Sequence, residues 1–261
     1  MNTPVVSLSG ACLKFGERLL WDRLDLAVDA GEFVAILGPN GSGKTSLLKV
    51  LTGQLSLSSG SADVAGQPVS AGSSRIGYVP QHRTVTGPAM RGRDLVRLGV
   101  DGHKWGLTWQ HAARRERDIA VERALAEVSA THLARAPLSV MSGGELQRLR
   151  IAQALAGDPV VLLCDEPLLN LDPASAQHVS ELIDKRRRDA NTAVLFVTHE
   201  INPVLPFVDR VLYLVDGRFR VGTVDEVMTS ENLSMLYRTE VDVLRVRGQY
   251  VVVGNRGFCH E

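Results

Sequence analysis

The chain has 261 residues, 44% of them hydrophobic, enough for one large α/β domain, or one domain with a small appendage, around a substantial core. Lysine plus arginine and aspartate plus glutamate number 29 each, so the formal charge is zero and no global field draws the chain to nucleic acid or anionic lipid. Cys12, Cys164 and Cys259 are odd in number and form no C-x-x-C, which points to a reducing compartment and away from a structural zinc site.

The chain opens at Met1-Asn2-Thr3-Pro4 without the charged and apolar regions of a leader, and no later stretch approaches the ~18 uncharged apolar residues of a membrane span. A soluble, cytoplasmic protein is therefore expected. Within residues 4–30, Val5-Val6-Ser7-Leu8 and Leu24-Asp25-Leu26-Ala27-Val28 are short apolar runs that suggest an antiparallel edge. Between them, Phe15 reads by spacing as a core residue, with base stacking as the other reading.

Phe33-Val34-Ala35-Ile36-Leu37 reads as a strand buried on both faces, and Ser46-Leu47-Leu48-Lys49-Val50-Leu51 restarts at helical spacing before Gly53 stops it. Between them Gly38-Pro39-Asn40-Gly41-Ser42-Gly43-Lys44-Thr45 satisfies G-x-x-x-x-G-K-[ST] in the strand, loop and helix setting that the pattern requires. Glycines let the backbone turn tightly and aim successive N–H groups at one point, and the helix N-terminus adds partial positive charge, so the stretch is a phosphate cradle. Lys44 is expected to reach the β- and γ-phosphates, and the Thr45 hydroxyl to ligate the magnesium bridging them. Composition alone produces the pattern in roughly one chain in a hundred of this length, and the flanking strand and helix lower that figure.

Gly60 to Gly66 reads as a hairpin and Arg75-Ile76-Gly77-Tyr78-Val79 as a strand ending at Pro80-Gln81. Gln81 has two readings, a surface amide or a group that ligates magnesium or orients a water. From Gly92 to about Pro137 the pattern is mostly helical, with Ile119, Val121, Ala124, Leu125 and Val128 as an apolar stripe, and forms an inserted layer. Trp105 and Trp109 lie there on a glycine-broken segment, as core or as partner contacts. Met141-Ser142-Gly143-Gly144-Glu145 then opens a helix to about Ala156, with Ser142 and Glu145 spaced as a capping box. Two glycines at its first positions are poor helix formers, which makes most sense where something approaches the backbone closely, and a second exposed helix N-terminus is a second anion site.

Val160-Val161-Leu162-Leu163-Cys164 is the most continuous apolar strand and delivers Asp165-Glu166-Pro167 at its C-terminal end, the edge where open α/β sheets bind ligands. Asp165 is suited to hold magnesium through water and Glu166 to address the nucleophile. A helix is expected from about Pro173 to Asp189, with Lys185-Arg186-Arg187-Arg188 as solvated cations at its C-terminus. Thr192 to Val197 reads as a further buried strand ending at Thr198-His199-Glu200, which again delivers a polar group to the sheet's active edge, although His199 alone does not decide a functional role. Val211 to Phe219 forms a closing hairpin, helical turns run to about Tyr237, and Val241 to Val253 forms a terminal hairpin around Arg247-Gly248-Gln249. The tail, Phe258-Cys259-His260-Glu261, reads as disordered rather than as a metal site.

The phosphate loop, Gln81, Ser142-Gly143-Gly144-Glu145, Asp165-Glu166, Asp172 and His199 occur in an order that resembles the ATP-binding subunits of ABC transporters over about residues 5–237. Ser-Gly-Gly-Glu followed by Leu146-Gln147-Arg148 and then Asp165-Glu166-Pro167 sets that family apart from other P-loop classes. The resemblance implies an α/β P-loop fold of ABC ATPase type over residues 1–238. That fold has a mixed central sheet with an antiparallel β edge and a helical subdomain inserted at about residues 92–157, leaving 239–261 as a small C-terminal hairpin and tail. It implies ATP and Mg2+ as cofactors, Phe15 stacked on adenine, residues Gly38 to Ser46 around the phosphates, Thr45, Gln81 and Asp165 at the magnesium, and Glu166 as general base. Lys44, Gln81 and His199 complete the catalytic group. It further implies a head-to-tail dimer in which Ser142, Gly143, Gly144, Glu145 and Asp172 complete the neighbour's site in trans, an integral membrane permease as partner, and no nucleic acid. The protein would sit peripherally at the cytoplasmic face of the cell membrane.

Met141, Glu145 and Phe15 replace the family's common Leu, Gln and Tyr, and Leu168-Leu169-Asn170-Leu171-Asp172 is bulkier than usual; none of these changes removes a catalytic group. Ile76 to Gln81, Arg91-Gly92-Arg93-Asp94-Leu95-Val96, and Thr198 to Leu205 look like the branch importing zinc, manganese or iron, in systems that add an extracytoplasmic metal-binding protein. A soluble ABC ATPase of iron–sulfur cluster assembly and an importer ATPase for another substrate share these motifs. A chromosome or DNA-repair ATPase would need long coiled-coil heptads, which the sequence lacks.

Overall fold

The computed structural model describes residues 3–81, 90–101 and 111–254. Strands β1 (Val6–Phe15), β2 (Arg18–Val28) and β3 (Phe33–Leu37) come first, then α1 (Lys44–Leu51), β4 (Ser59–Val64), β5 (Gln67–Pro68) and β6 (Ile76–Val79). The helical layer follows as α2 (Gly92–Asp101), α3 (His111–Glu127) and α4 (Gly143–Leu155). Next come β7 (Val161–Asp165), α5 (Pro173–Ala190), β8 (Ala193–Val197), β9 (Arg210–Val215) and β10 (Arg218–Gly222), then α6 (Val224–Val227), α7 (Ser230–Tyr237), β11 (Val241–Val246) and β12 (Gln249–Gly254).

The central sheet has the order β10-β9-β3-β8-β7-β6, parallel throughout except for β10 at one edge. Every residue of β3, β7 and β8 is buried, as the uninterrupted apolar runs require of strands covered on both faces. Alternate residues serve two cores. Phe33, Ala35 and Leu37 pack with α4, α5 and the helical layer, while Val34 and Ile36 pack with α1 and the antiparallel strands. Thus α1 lies between two sheets.

The expected antiparallel strands of residues 4–30 are longer than their apolar runs and form their own sheet, β2-β1-β4-β5, joined to the central sheet by a bridge between Trp21 and Gly217. One face of β1 and β2 meets solvent, so Arg18, Asp22, Arg23 and Asp25 interrupt the apolar pattern without ending the strand. In α3, Val121, Ala124, Leu125 and Val128 are buried as expected, but Ile119 is 59% exposed. Two residues before Val121 is about 200° around a helix, on the far side from the stripe.

The reading of Lys185 to Arg188 as solvated cations holds for the exposed Lys185 and Arg188 and fails for Arg186 and Arg187. Arg186 is buried, with Nη2 2.7 Å from Asp158 and Nη1 3.5 Å from Glu127 at the end of α3, and Nε donates to Thr192 Oγ1. Arg187 spans Asp184 and Asp209, and Arg188 meets Asp184. Arg186 therefore ties the helical layer to α5 and to the turn preceding β7. The terminal hairpin turns at Arg247 and Gly248, both with positive φ, and Val241 and Tyr250 join the main core. Trp105, Trp109 and the Phe258 to Glu261 tail lie outside the described residues. Among the described residues no helix is long and apolar enough to cross a membrane.

Candidate active site

The loop after β3 is fixed by backbone geometry. Gly38 has φ 136°, and a Cβ there would lie 2.0 Å from the Leu214 carbonyl oxygen, so only glycine lets the chain leave the sheet against β9. Gly43 occupies the N-cap of α1 with φ 100° and offers no side-chain cap, which leaves the first N–H groups of the helix to other acceptors. The Ser42 hydroxyl beside them is buried without a hydrogen-bond partner. An uncapped helix start with an orphaned buried hydroxyl suits an anion with several oxygens.

Lys44 is buried, and its Nζ donates to the carbonyls of Gly38 at 2.7 Å and Pro39 at 2.9 Å, which holds the ammonium across the loop. Burial pulls its pKa below the ordinary lysine value, against the opposing pull of Glu166 and Asp165. At the end of β7, two strands from β3, Asp165 accepts from the Thr45 hydroxyl at Oδ1 at 3.0 Å and from the Tyr78 hydroxyl at Oδ2 at 3.2 Å. Burial pushes the Asp165 pKa up, and these two hydrogen bonds hold it back. A threonine hydroxyl, a carboxylate and the nearby Gln81 amide form an all-oxygen donor set that suits Mg2+.

Glu166 follows at φ 47°, a left-handed backbone uncommon outside glycine, with its N–H donating to Val197 O. That conformation turns the chain sharply at the strand end, and Gln81 Nε2 donates to Glu166 Oε2 at 3.0 Å. Gly38, Pro39, Asn40, Gln81, Glu166 and His199 line one cleft of about 1050 Å³. Phe15 is 49% exposed at the β1–β2 turn and lies outside that cleft's wall, yet Arg18, its partner across the hairpin, donates to Gly41 O at 2.9 Å and so sets the turn beside the glycine loop. That exposure overturns the core reading of Phe15.

Ser142, Gly144 and Glu145 line a different cleft, with Ser175 and His178, that shares no residue with the first. The capping box is present: Glu145 N–H donates to Ser142 Oγ at 3.3 Å, and Ser142 N–H donates to Glu145 Oε2 at 2.8 Å. The Ser142 donors hold the Glu145 carboxyl below its usual range. The two glycines have different causes. A Cβ on Gly144 would meet Ser175 Oγ at 2.8 Å, whereas one on Gly143 would meet nothing closer than 3.8 Å. Close packing on α5 explains why Gly144 carries no side chain, although it lines the cleft; Gly143 has room for one. Asp172 caps α5, accepting from Ser175 N–H at 3.0 Å and Ser175 Oγ at 2.6 Å. Arg18 and Tyr78 were not singled out from the sequence. Tyr78 carried a signal, since it lies two residues before Pro80 on the strand paired with β7.

A glycine loop between a buried strand and a helix, with an aspartate from the next strand but one hydrogen-bonded to the helix threonine, defines a P-loop nucleotide hydrolase. The family model for the ABC transporter matches residues 21–169, from β2 to just past Glu166, and the chain belongs to that family and is an ATPase. The hemin import ATP-binding protein HmuV of Nocardia farcinica is 35% identical over 234 residues, covering 87% of this chain and 78% of that protein. The aliphatic sulfonates import ATP-binding protein SsuB 3 of Rhodococcus jostii is 36% identical over 220 residues, covering 83% and 73%. A solved transporter described as metal-chelate type, in an inward-facing conformation, superposes with a TM-score of 0.80 at 27% identity over 98% of this chain and 99% of that one.

Proposed function

We propose that the chain is the ATP-hydrolysing subunit of an importer, in which two copies close head to tail around ATP and drive a membrane permease, with a transition-metal ion or its complex as cargo. The observation that carries the two-copy reading is the separation of the clefts. Gly38, with Lys44 bonded to it, and Glu166 belong to one region, Ser142 and Gly144 to another, and a site using both sets takes them from two molecules. Gly143, exposed and with room for a Cβ, presents an open helix end for that approach. Closure that requires nucleotide converts differential affinity into motion, and hydrolysis removes it.

In this reading Lys44 and the loop N–H groups hold the phosphates, and Phe15 stacks on the base. Thr45, Asp165 and Gln81 would hold magnesium, which when bound supplies charge neutralisation on the phosphate oxygens. Gln81 donates to Glu166 Oε2 and so orients the carboxylate, which accepts the proton of the attacking water. His199 contacts the γ-phosphate from the end of β8, and the partner's Gly143 helix end stabilises charge on the transferring group. The cargo crosses the permease without touching this chain, at whose cytoplasmic side the subunit docks.

The hemin and metal-chelate relatives support a metal-related cargo. The sulfonate relative, at comparable identity, favours a second reading in which the same machine serves a small organic anion instead. Glu166→Gln is expected to bind ATP while turnover falls by at least ~100-fold; near-normal hydrolysis would remove Glu166 from its role. Transport by the reconstituted complex of radioactive zinc, manganese, iron or hemin against sulfonate separates the two cargo readings.

A further inference from the structure

His199 is an exposed residue between two fastened points. On one side, Thr198 is buried, its hydroxyl donates to Glu200 O at 2.8 Å and accepts from Glu200 N–H at 3.1 Å. On the other, the Asn202 side chain pairs with a backbone 48 residues later: Nδ2 donates to Tyr250 O at 3.0 Å, and Oδ1 accepts from Tyr250 N–H at 2.8 Å. Asn202 thus acts as a one-residue strand on the outer edge of β12. Ile201 between them is buried.

The hairpin that holds Asn202 is itself anchored. The Ser234 hydroxyl both accepts from Val241 N–H and donates to Val241 O, Ser230 Oγ accepts from Val243 N–H, and the Tyr250 hydroxyl donates to Asp225. Arg245 lies 5.4 Å from the Tyr250 ring centroid. Gln249, Tyr250, Val251 and Val252 line the same cleft as Gly38, Glu166 and His199.

We propose that Asn202 is a positioning residue for ATP hydrolysis: through its paired bonds to Tyr250, the C-terminal hairpin holds the His199 segment at the γ-phosphate end of the cleft. This rests on the reading that His199 serves hydrolysis. A side chain displaced by about 1 Å loses much of its contribution, so the effect falls on turnover rather than on ATP binding.

The test uses the full chain. Asn202→Ala is expected to lower kcat about tenfold, leave ATP affinity within about twofold, and speed hydrogen exchange at the Tyr250 amide while core strands stay protected. Asn202→Asp keeps the acceptor for Tyr250 N–H and loses the donor, so an intermediate kcat is expected; it decides the matter should the alanine variant fail to fold. In a His199→Ala background, Asn202→Ala or Asn202→Asp should lower the rate no further. Unchanged kcat in the Asn202 variants, with His199→Ala impaired, overturns the proposal alone. An undiminished effect in the His199→Ala background also overturns it, because the role is then purely structural. Normal turnover by His199→Ala removes the underlying reading and the proposal with it.

Discussion

Two helix starts in this molecule face their polar groups in opposite ways. At α1 the cap is a glycine with no side-chain bond, Ser42 Oγ is buried without a partner, and Lys44 and Asp165 both have pKa values shifted against their charged forms by burial. At α4 the capping box satisfies its own donors, and Glu145, like Asp172 at the start of α5, is held below the usual carboxylate range by hydrogen bonds. The first start carries electrostatic cost that a polyanion and its counter-ion relieve. The second has its cap and its acid paired with each other already, so it meets a ligand as a preformed surface, with the remaining N–H groups of the helix end at Gly143 as its open point. One is built to bind, the other to be brought to what is bound.

The largest effect that would sharpen this contrast comes from Gly143→Asp. Nothing crowds that position, so the fold should persist and ATP should still bind, while turnover falls at least ~100-fold because the added carboxylate faces the partner's phosphates. Equilibrium ATP binding measured beside steady-state hydrolysis checks it, and loss of both together would place Gly143 in the chain's own cradle.

Asp165→Asn should separate stability from function. In the folded protein the Asp165 pKa lies above its ordinary value of 3.8, so the folded state binds more protons than the unfolded state between the two values. Stability falls as pH rises through that window, and at neutral pH the carboxylate is a net cost. The variant is therefore expected to melt higher than the parent at pH 7, to lose that advantage below pH 3.8, and to hydrolyse ATP poorly at every pH. A lower melting temperature at pH 7 would contradict the account of the first site.

The smallest effect lies at the second start. Ser142→Ala should cost about 1 kcal/mol, read by denaturant unfolding. Glu145 shows the opposite sign to Asp165: its folded value lies below the ordinary 4.5, so its contribution is present above that pH and is lost as pH falls through the folded value. The difference between parent and Ser142→Ala should shrink in acid.

The parts of this fold legible in the sequence are those whose cause is local. Phe33 to Leu37 and Val160 to Cys164 read as buried strands because parallel strands covered on both faces tolerate no polar break, and the Ser142–Glu145 box is a three-residue spacing. Arg186 was misread because its partners, Glu127 and Asp158, are distant in sequence, and within Lys185 to Arg188 it is chemically like its neighbours. The packing reason for Gly144 was hidden in the same way, its crowding coming from Ser175 on another helix. Asn202 shows no pattern at all until β12 is laid beside it.

The composite site is tested most directly by the solution mass of full-length Glu166→Gln, measured by light scattering with saturating Mg-ATP and then with ADP. The expected result is twice the chain mass with ATP, return to the single-chain mass with ADP, and no dimer when Gly143→Asp is added. An ATP-loaded single chain under all of these conditions, with the cognate permease also present, would contradict the claim that each copy completes the other's pocket.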